Sequence, residues 1–427
     1  MKGLVKKEIL VFTSSSAFYL LIIIASFLIG SSFITSIDLY SKASIAALKD
    51  PIYARSFEPV PGVFVPAFGG FYLVFSLLLP FAVIPMISRE FEYNTISLLP
   101  QLGYGMGKIL TQKFLVALGY VLLTLSLSTP AIIFWITVGG HVAWAEMALL
   151  LAGYVLYGIL VISISFASAS ILKSTSSASI LALTIVLSSW VLDFMKDATA
   201  SPLILYLSKF TFTSLLRVFE KGIFSAGVLV KLAILSGTFL VIAYFMMEFF
   251  KRKNALRATL TLIIGLILLF ASGFIGYRAD ITESYRNSFP PAVRTALGKL
   301  TPIEIDIHLR KSDSRLVDYR REFLDRLLLV KRDVKVVFPD SGTYGLFVYR
   351  VKNNSTWISD STFSNSPEEA FSIISTLSGI KIPQPDVTDY PGYPLVVERE
   401  RLWYLKFVYY LLLPLLGLAI WIKRRIS

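Results

Sequence analysis

Eight separate stretches of this chain, each about twenty residues long, carry almost no charge. A hydrocarbon core of ~30 Å takes about 20 mostly apolar residues to cross as a helix. The stretches at roughly 17–37, 68–88, 114–138, 147–172, 177–195, 228–250, 257–277 and 403–422 therefore read as membrane spans. Pro80 and Pro85 interrupt the second and Pro130 the third, breaks that neighbouring helices can satisfy. The fifth carries Ser188, Ser189 and Asp193 near its end. The first apolar run outlasts a signal-peptide core and no A-x-A site follows it, so it reads as a retained anchor. With 55% apolar and only 16% charged residues, against about 25% charged in soluble domains, the chain cannot cover itself with a polar surface.

The same composition excludes several chemistries. Zero cysteines rule out disulfides, thiolate metal sites, iron–sulfur clusters and redox CxxC motifs. Two histidines in 427 residues leave no basis for a His-built metal centre. Gly103-Tyr104-Gly105-Met106-Gly107-Lys108 invites a phosphate-loop reading, but Leu102 stands where that loop needs glycine and Ile109 where it needs Ser or Thr. A turn into the third span fits better. His141, in a short loop, and His308, on the polar face of a strand, read as solvated surface residues.

Basic residues in short loops set orientation. With the N-terminus inside, Lys2, Lys6, Lys7, Arg89, Lys108, Lys113, Lys173, Lys251, Arg252, Lys253, Arg257, Lys423, Arg424 and Arg425 all fall on the inner side. Eight spans with both termini inside close the pattern at the cell membrane, leaving 278–402 outside. Between Arg278 and Arg401 there are 18 basic and 17 acidic residues. The formal charge of +13 thus sits mostly at the inner face, where anionic lipids attract it. No basic stripe for nucleic acid is visible.

The expected architecture is a polytopic α-helical membrane protein with a small extracytoplasmic α/β domain between the seventh and eighth spans. Its parts are 1–256 (six spans), 257–277 (seventh span), 278–402 (outer domain) and 403–427 (eighth span and basic tail). In the outer domain Ile303, Ile305, Ile307 and Leu309 alternate with polar residues as a half-buried strand. Leu316, Tyr319, Phe323, Leu327 and Val330 follow at helical spacing. Val334–Phe338, Gly345–Val351 and a segment around Trp357 read as further strands. Ser366-Pro367-Glu368-Glu369 reads as an N-cap, a proline at N1 and a capping-box glutamate, opening a helix to Gly379. The order suits a thioredoxin-like sheet without thioredoxin chemistry. Asn353-Asn354-Ser355-Thr356 holds two overlapping glycosylation sequons.

Three local patterns point to one family. Lys7-Glu8-Ile9-Leu10-Val11-Phe12-Thr13-Ser14-Ser15, with Tyr19 beyond, resembles the opening of type-2 ABC exporter permeases of the gliding-motility kind, with Ser16 where the family usually has proline. Ile87 to Pro100, followed by Gly107-Lys108, is similar to the acidic coupling segment after the second span of such permeases, with Asn94 for the usual glycine and Ser97 for the usual glutamate. Residues 279–397, including Asp280-Ile281-Thr282-Glu283 and Asp389-Tyr390-Pro391-Gly392-Tyr393-Pro394, resemble a shortened auxiliary component of the gliding-motility ABC system.

The resemblance implies the transmembrane permease subunit of an ABC transporter, without a catalytic site of its own. ATP and magnesium would be bound by a separate ATPase subunit, present in two copies, and a second permease protomer would complete the dimer. The coupling segment would comprise Arg89, Glu90, Glu92, Thr95, Ile96, Leu98 and Leu99, with Leu98 and Leu99 in a groove on the ATPase and Arg89, Glu90 and Glu92 at its rim. Lys6, Lys7, Glu8 and Phe12 would belong to an interfacial elbow helix, with membrane lipids as neighbours. The bland readings are an ordinary inner loop and a charged anchor flank. Ser163, Ser165, Ser168, Ser170, Ser174, Ser176, Ser177 and Ser179 are expected to pack helices, with hydroxyls bonding across an interface, or else to line a substrate path. The apolar segment Pro202–Lys221 reads as re-entrant or surface-lying. The alternative function is a non-transporting scaffold or sensor whose outer domain binds a protein or glycan.

Overall fold

The computed structural model describes residues 2–97, 105–198, 202–248, 252–310, 313–331, 333–339, 341–353, 356–383 and 390–426. Two compact units emerge, one made of Met1–Tyr277 with Gly392–Ser427 and the other of Arg278–Pro391. Among the described residues, the first holds eight helices long and apolar enough to cross a bilayer. They are span 1 (Ser16–Ala47), span 2 (Val60–Glu92), span 3 (Met106–Thr137), span 4 (Trp144–Leu172), span 5 (Thr175–Met195), span 6 (Ala226–Met247), span 7 (Asn254–Phe274) and span 8 (Arg399–Lys423). The chain is a multi-pass helical membrane protein. Several helices run past their apolar windows, because hydropathy marks only the part that matches hydrocarbon. Span 1 continues to Ala47, and span 3 begins at Met106, well before its uncharged run.

Four prolines inside the spans leave a mark that Pro85 does not. The five-residue π turns Val60–Phe64, Val74–Leu78 and Val408–Leu412 lie just before Pro66, Pro80 and Pro414. A 3-10 turn, Ser126–Ser128, precedes Pro130. Proline lacks an N–H and crowds the carbonyl one turn back. A locally widened or tightened turn relieves both and lets the helix go on.

Span 4 is the axis of this unit. It packs against spans 3, 5 and 6 and the helix Phe212–Glu220. Its small residues allow close approach: a Cβ on Gly158 would sit 2.7 Å from Val121, and one on Gly153 would sit 2.6 Å from Phe219. Ser163, Ser165, Ser168 and Ser170 are all buried there. Their hydroxyls do not bridge helices as expected. Ser163, Ser165 and Ser170 donate to the carbonyls of Ile159, Val161 and Phe166 one turn back. Ser179, on span 5, likewise donates to Thr175. Small size, not cross-helix bonding, is what these serines contribute, whereas Ser174, Ser176 and Ser177 are exposed.

Spans 7 and 8 take different partners. Span 7 packs on span 6, and span 8 packs on span 1. Gly30 of span 1 leaves room for the Tyr409 ring, Ser26 donates to the Tyr409 carbonyl at 2.7 Å, and the Tyr409 hydroxyl donates to Leu127 of span 3. The chain rejoins the membrane unit at Gly392, before the boundary at 402 that the sequence suggested. Residues 392–397 lie extended along the far end of span 1. The Val397 and Leu395 amides donate to the hydroxyls of Ser41 and Ser44 at 2.9 and 3.0 Å. Tyr40 donates to the Tyr393 carbonyl, and the Tyr393 amide to Phe57. Serine hydroxyls at one-turn spacing thus supply the partners that a neighbouring strand would give. Tyr393 stacks on His141 with ring centroids 3.7 Å apart. His141 is therefore half-buried against an aromatic ring, where the sequence suggested a solvated residue.

The second unit is a four-stranded sheet, β1 (Ile303–Ile307), β2 (Val334–Val337), β3 (Phe347–Asn353) and β4 (Thr356–Thr362), in the order β2-β1-β3-β4. β1 and β2 are parallel, and the other neighbours are antiparallel. Ile303, Ile305 and Ile307 pair with Val351, Tyr349 and Phe347. These residues share one core with Leu316, Tyr319, Phe323, Leu327, Phe371 and Ile374. The opposite face carries an ion ladder, Lys335–Glu304 at 2.7 Å and Arg350–Asp306 at 2.5 Å. Ser366 caps the helix Pro367–Ser378, and Gly379 closes it at φ 69°. The expected capping-box glutamate acts differently, because Glu369 accepts from the Thr362 hydroxyl at 2.6 Å and so ties the helix to β4. The sequon residues Asn354 and Ser355 lie outside the described residues.

Candidate coupling site

Two of the residues singled out at the start of the chain and after span 2, Glu8 and Glu90, converge on one buried lysine. The N-terminal helix Lys2–Thr13 is a separate element, joined to span 1 at Ser14 and Ser15. It docks through Phe12, whose ring meets Phe18 and Tyr120 edge-on at 5.4 and 5.1 Å. Beside Phe12, Glu8 is buried. The second span does not stop at the charges that follow Ser88. It runs unbroken through Arg89 and Glu90 to Glu92, then turns at Asn94, whose φ is 54°, into the short 3-10 segment Thr95–Ser97. Asparagine tolerates this left-handed backbone better than most residues.

Lys113 lies about two turns into span 3 and is 1% exposed. Its ammonium has three N–H donors, and three acceptors meet them: Glu8 Oε2 at 3.0 Å, Glu90 Oε1 at 2.9 Å and the Met86 carbonyl at 2.7 Å. The sequence suggested a loop lysine answering to membrane charge. Because the helix starts at Met106, the structure instead makes Lys113 the hub joining the N-terminal helix, span 2 and span 3. Glu90, expected at an outward rim, points inward to it. Lys7 lies 3.9 Å from Glu90 with its side chain half-exposed.

A second set of bonds ties the same end of span 2 to span 5. Glu92 Oε1 accepts from the Thr175 amide at 2.8 Å, capping the start of span 5, and Ser88 and Thr175 share a hydroxyl bond at 2.7 Å. Ile96 is fully buried within the chain. Arg89 and Thr95 are exposed, and Tyr93 is 74% exposed. Those three residues form the outward surface of the turn. Leu98 and Leu99 lie outside the described residues, as does the Lys6 side chain. Sequence reasoning missed Lys113, Ser88 and Thr175. The available signal was a lysine at the start of an apolar helix with two acidic residues on neighbouring segments.

Between the N-terminal helix and this end of spans 2 and 3 opens a cleft of about 320 Å³, with Glu8, Glu90 and Lys113 among its lining and Lys7, Val11 and Arg89 also bordering it.

The segment Pro202–Lys221, expected to be re-entrant or surface-lying, is helical; Leu203 and Tyr206 in its first half are exposed, whereas its second half is tucked in. Phe212, Leu215, Leu216 and Phe219 are buried on the helix Phe212–Glu220. Tyr154 donates to Glu220 at 2.8 Å, Tyr72 and Thr213 share a bond at 2.6 Å, and the Phe212 amide donates to Ser189. Asp193, the acidic residue in span 5, pairs with Arg217 at 3.4 Å. It helps to hold this segment in place. Comparison with protein-family models, with curated proteins and with solved structures returns no match.

Proposed function

We propose that this chain is the transmembrane permease subunit of an ABC exporter or ABC-driven envelope machine, working as a dimer above two copies of a separate ATPase. The observation that carries the reading is the clamping of one helix end. Span 2 terminates in an exposed turn at Tyr93–Thr95, and directly behind it Lys113, Glu8, Glu92, Ser88 and Thr175 fasten that end to the N-terminal helix, span 3 and span 5. A push on the turn is thereby delivered to several helices at once, as a subunit driven by a neighbour's ATP cycle requires. The ATPase contact falls on Tyr93, Thr95 and the residues that follow, with Glu90 and Glu92 transmitting force from behind. Both termini then lie in the cytoplasm and 278–391 lies outside.

The strand order β2-β1-β3-β4 supports a thioredoxin-like module that binds or braces instead of exchanging disulfides. A non-transporting scaffold is the second reading. It is favoured by β4, whose residues Thr356–Ser361 are exposed along a sheet edge that can take another strand. The test is to purify the full chain with its candidate ATPase and reconstitute the pair. Tyr93→Ala should lower ATPase stimulation by the membrane subunit while leaving its thermal unfolding unchanged. A purified chain that carries no ATPase, or labelling that puts residue 93 on the same side as residue 357, would sink the permease reading.

A further inference from the structure

The cleft beside Lys113 has a character that the coupling role does not use. Lys113 spends all three donors on Glu8, Glu90 and Met86, while Glu90 Oε2 is buried without a hydrogen-bond partner. The mouth of the cleft carries two outward cations, Arg89, which is exposed, and Lys7, whose side chain is 52% exposed. Its lining also includes the apolar side chains of Val11, Ala82 and Pro85. The N-terminal helix next to it turns Ile9, Leu10 and Val11 outward, each between 44% and 52% exposed. Exposed apolar residues on a helix flanked by lysines place that helix at the boundary between headgroups and acyl chains. An occupant of this cleft therefore meets both cations and hydrocarbon, with Lys7 also 3.9 Å from Glu90. A soluble anion satisfies only the first condition and an apolar peptide face only the second.

We propose that the cleft between the N-terminal helix and the Lys113 end of spans 2 and 3 binds one anionic phospholipid. The phosphate sits between Arg89 and Lys7, and the first part of one acyl chain lies against Val11, Ala82 and Pro85. At about 320 Å³ the cleft is near the small end of ligand pockets, enough for a headgroup and the start of one chain, with the rest of the lipid left in the bilayer. Occupancy would brace the N-terminal helix from its open side. The inference does not depend on the ATPase.

The test uses the full chain, purified in detergent, delipidated and titrated with phosphatidylglycerol while bound lipid is counted by native mass spectrometry. One tightly held phosphatidylglycerol is expected, with phosphatidylcholine much weaker. Each of Arg89→Gln and Lys7→Gln should weaken it about fivefold, the effect of roughly 1 kcal/mol per basic residue at a membrane surface. Val11→Trp, at an exposed position, should block it by filling the mouth. Lys423→Gln, a basic residue at the end of span 8, should leave it unchanged. Equal losses from Lys423→Gln and Arg89→Gln would reduce the site to general surface charge. Complete displacement by inorganic phosphate would make it an anion site. Absence of bound lipid, with the cleft instead protected when an ATPase is added, would make it a protein contact. Each of these three results overturns the proposal.

Discussion

Lys113 is 1% exposed, and three acceptors stand where its ammonium would otherwise bond water. Removing one partner of such a buried set leaves an uncompensated charge, which costs about 3–5 kcal/mol. Lys113→Ala should accordingly lower thermal stability in detergent steeply, because Glu8 and Glu90 are left facing each other. Lys113→Met combined with Glu8→Gln and Glu90→Gln should recover much of that loss. If the single and triple variants melt together, the three groups are not coupled. A backbone position gives a second prediction at this scale. Gly392 sits at φ 70° with the Ala54 carbonyl against its open side, where a Cβ has no room. Gly392→Ala should detach residues 392–397 from span 1, read as faster hydrogen exchange at the Leu395 and Val397 amides. Half of the candidate site was legible one residue at a time. Glu8 and Glu90 were singled out through the family resemblance, Glu90 at an outward rim, whereas Lys113 was counted with the loop cations because charge alone does not say whether a lysine faces lipid headgroups or a buried carboxylate.

At the level of whole elements the spans were the most legible part, since a run of about twenty apolar residues has few alternatives. Their ends were not. The apolar window of span 3 opens after Lys113, yet Gly105 serves as the N-cap and the helix takes in the lysine. Span 2 gave the opposite error. Charges at 89–92 suggested a new element, but the helix simply continues until Asn94 breaks it. In the second unit, alternation placed the strands and 3.6-residue spacing placed the helix over 314–330. The π turn Arg320–Leu324 within that helix has no marker of the kind that proline provides in the spans. Packing between spans was invisible to pattern reasoning, and Gly30 is the clearest instance. A valine there would collide with Tyr409. Gly30→Val should loosen span 8 from span 1, so a cysteine pair engineered across spans 1 and 8 should cross-link more slowly, while one across spans 6 and 7 is unaffected.

For the molecule as a whole, two units with different solvents respond to different variables. The second unit is held partly by carboxylates whose charged form the fold favours. Lys335 donates to Glu304, Arg315 to Asp313 and Thr362 to Glu369, and each contact holds its carboxyl below the usual range. Groups with depressed values stabilise the fold above their unfolded titration range and lose that contribution as pH falls through it towards the folded value. Acidification through and below the ordinary carboxylate range should therefore loosen Arg278–Pro391, followed by hydrogen exchange of the full chain. Glu369→Gln should flatten the dependence around β4 and the helix that follows. A membrane unit that loosens first would contradict this assignment.

Residues 392–397 carry a consequence for how the protein is made. Ser41 and its partner Val397 are 356 positions apart, so the first helix to enter the bilayer must wait through synthesis of almost everything else before its hydroxyls and the groove at Gly30 are filled. Until then Tyr40, Ser41 and Ser44 face water or lipid, and the membrane unit stands open along one flank. Assembly is completed late, by the same stretch of chain that returns from the second unit.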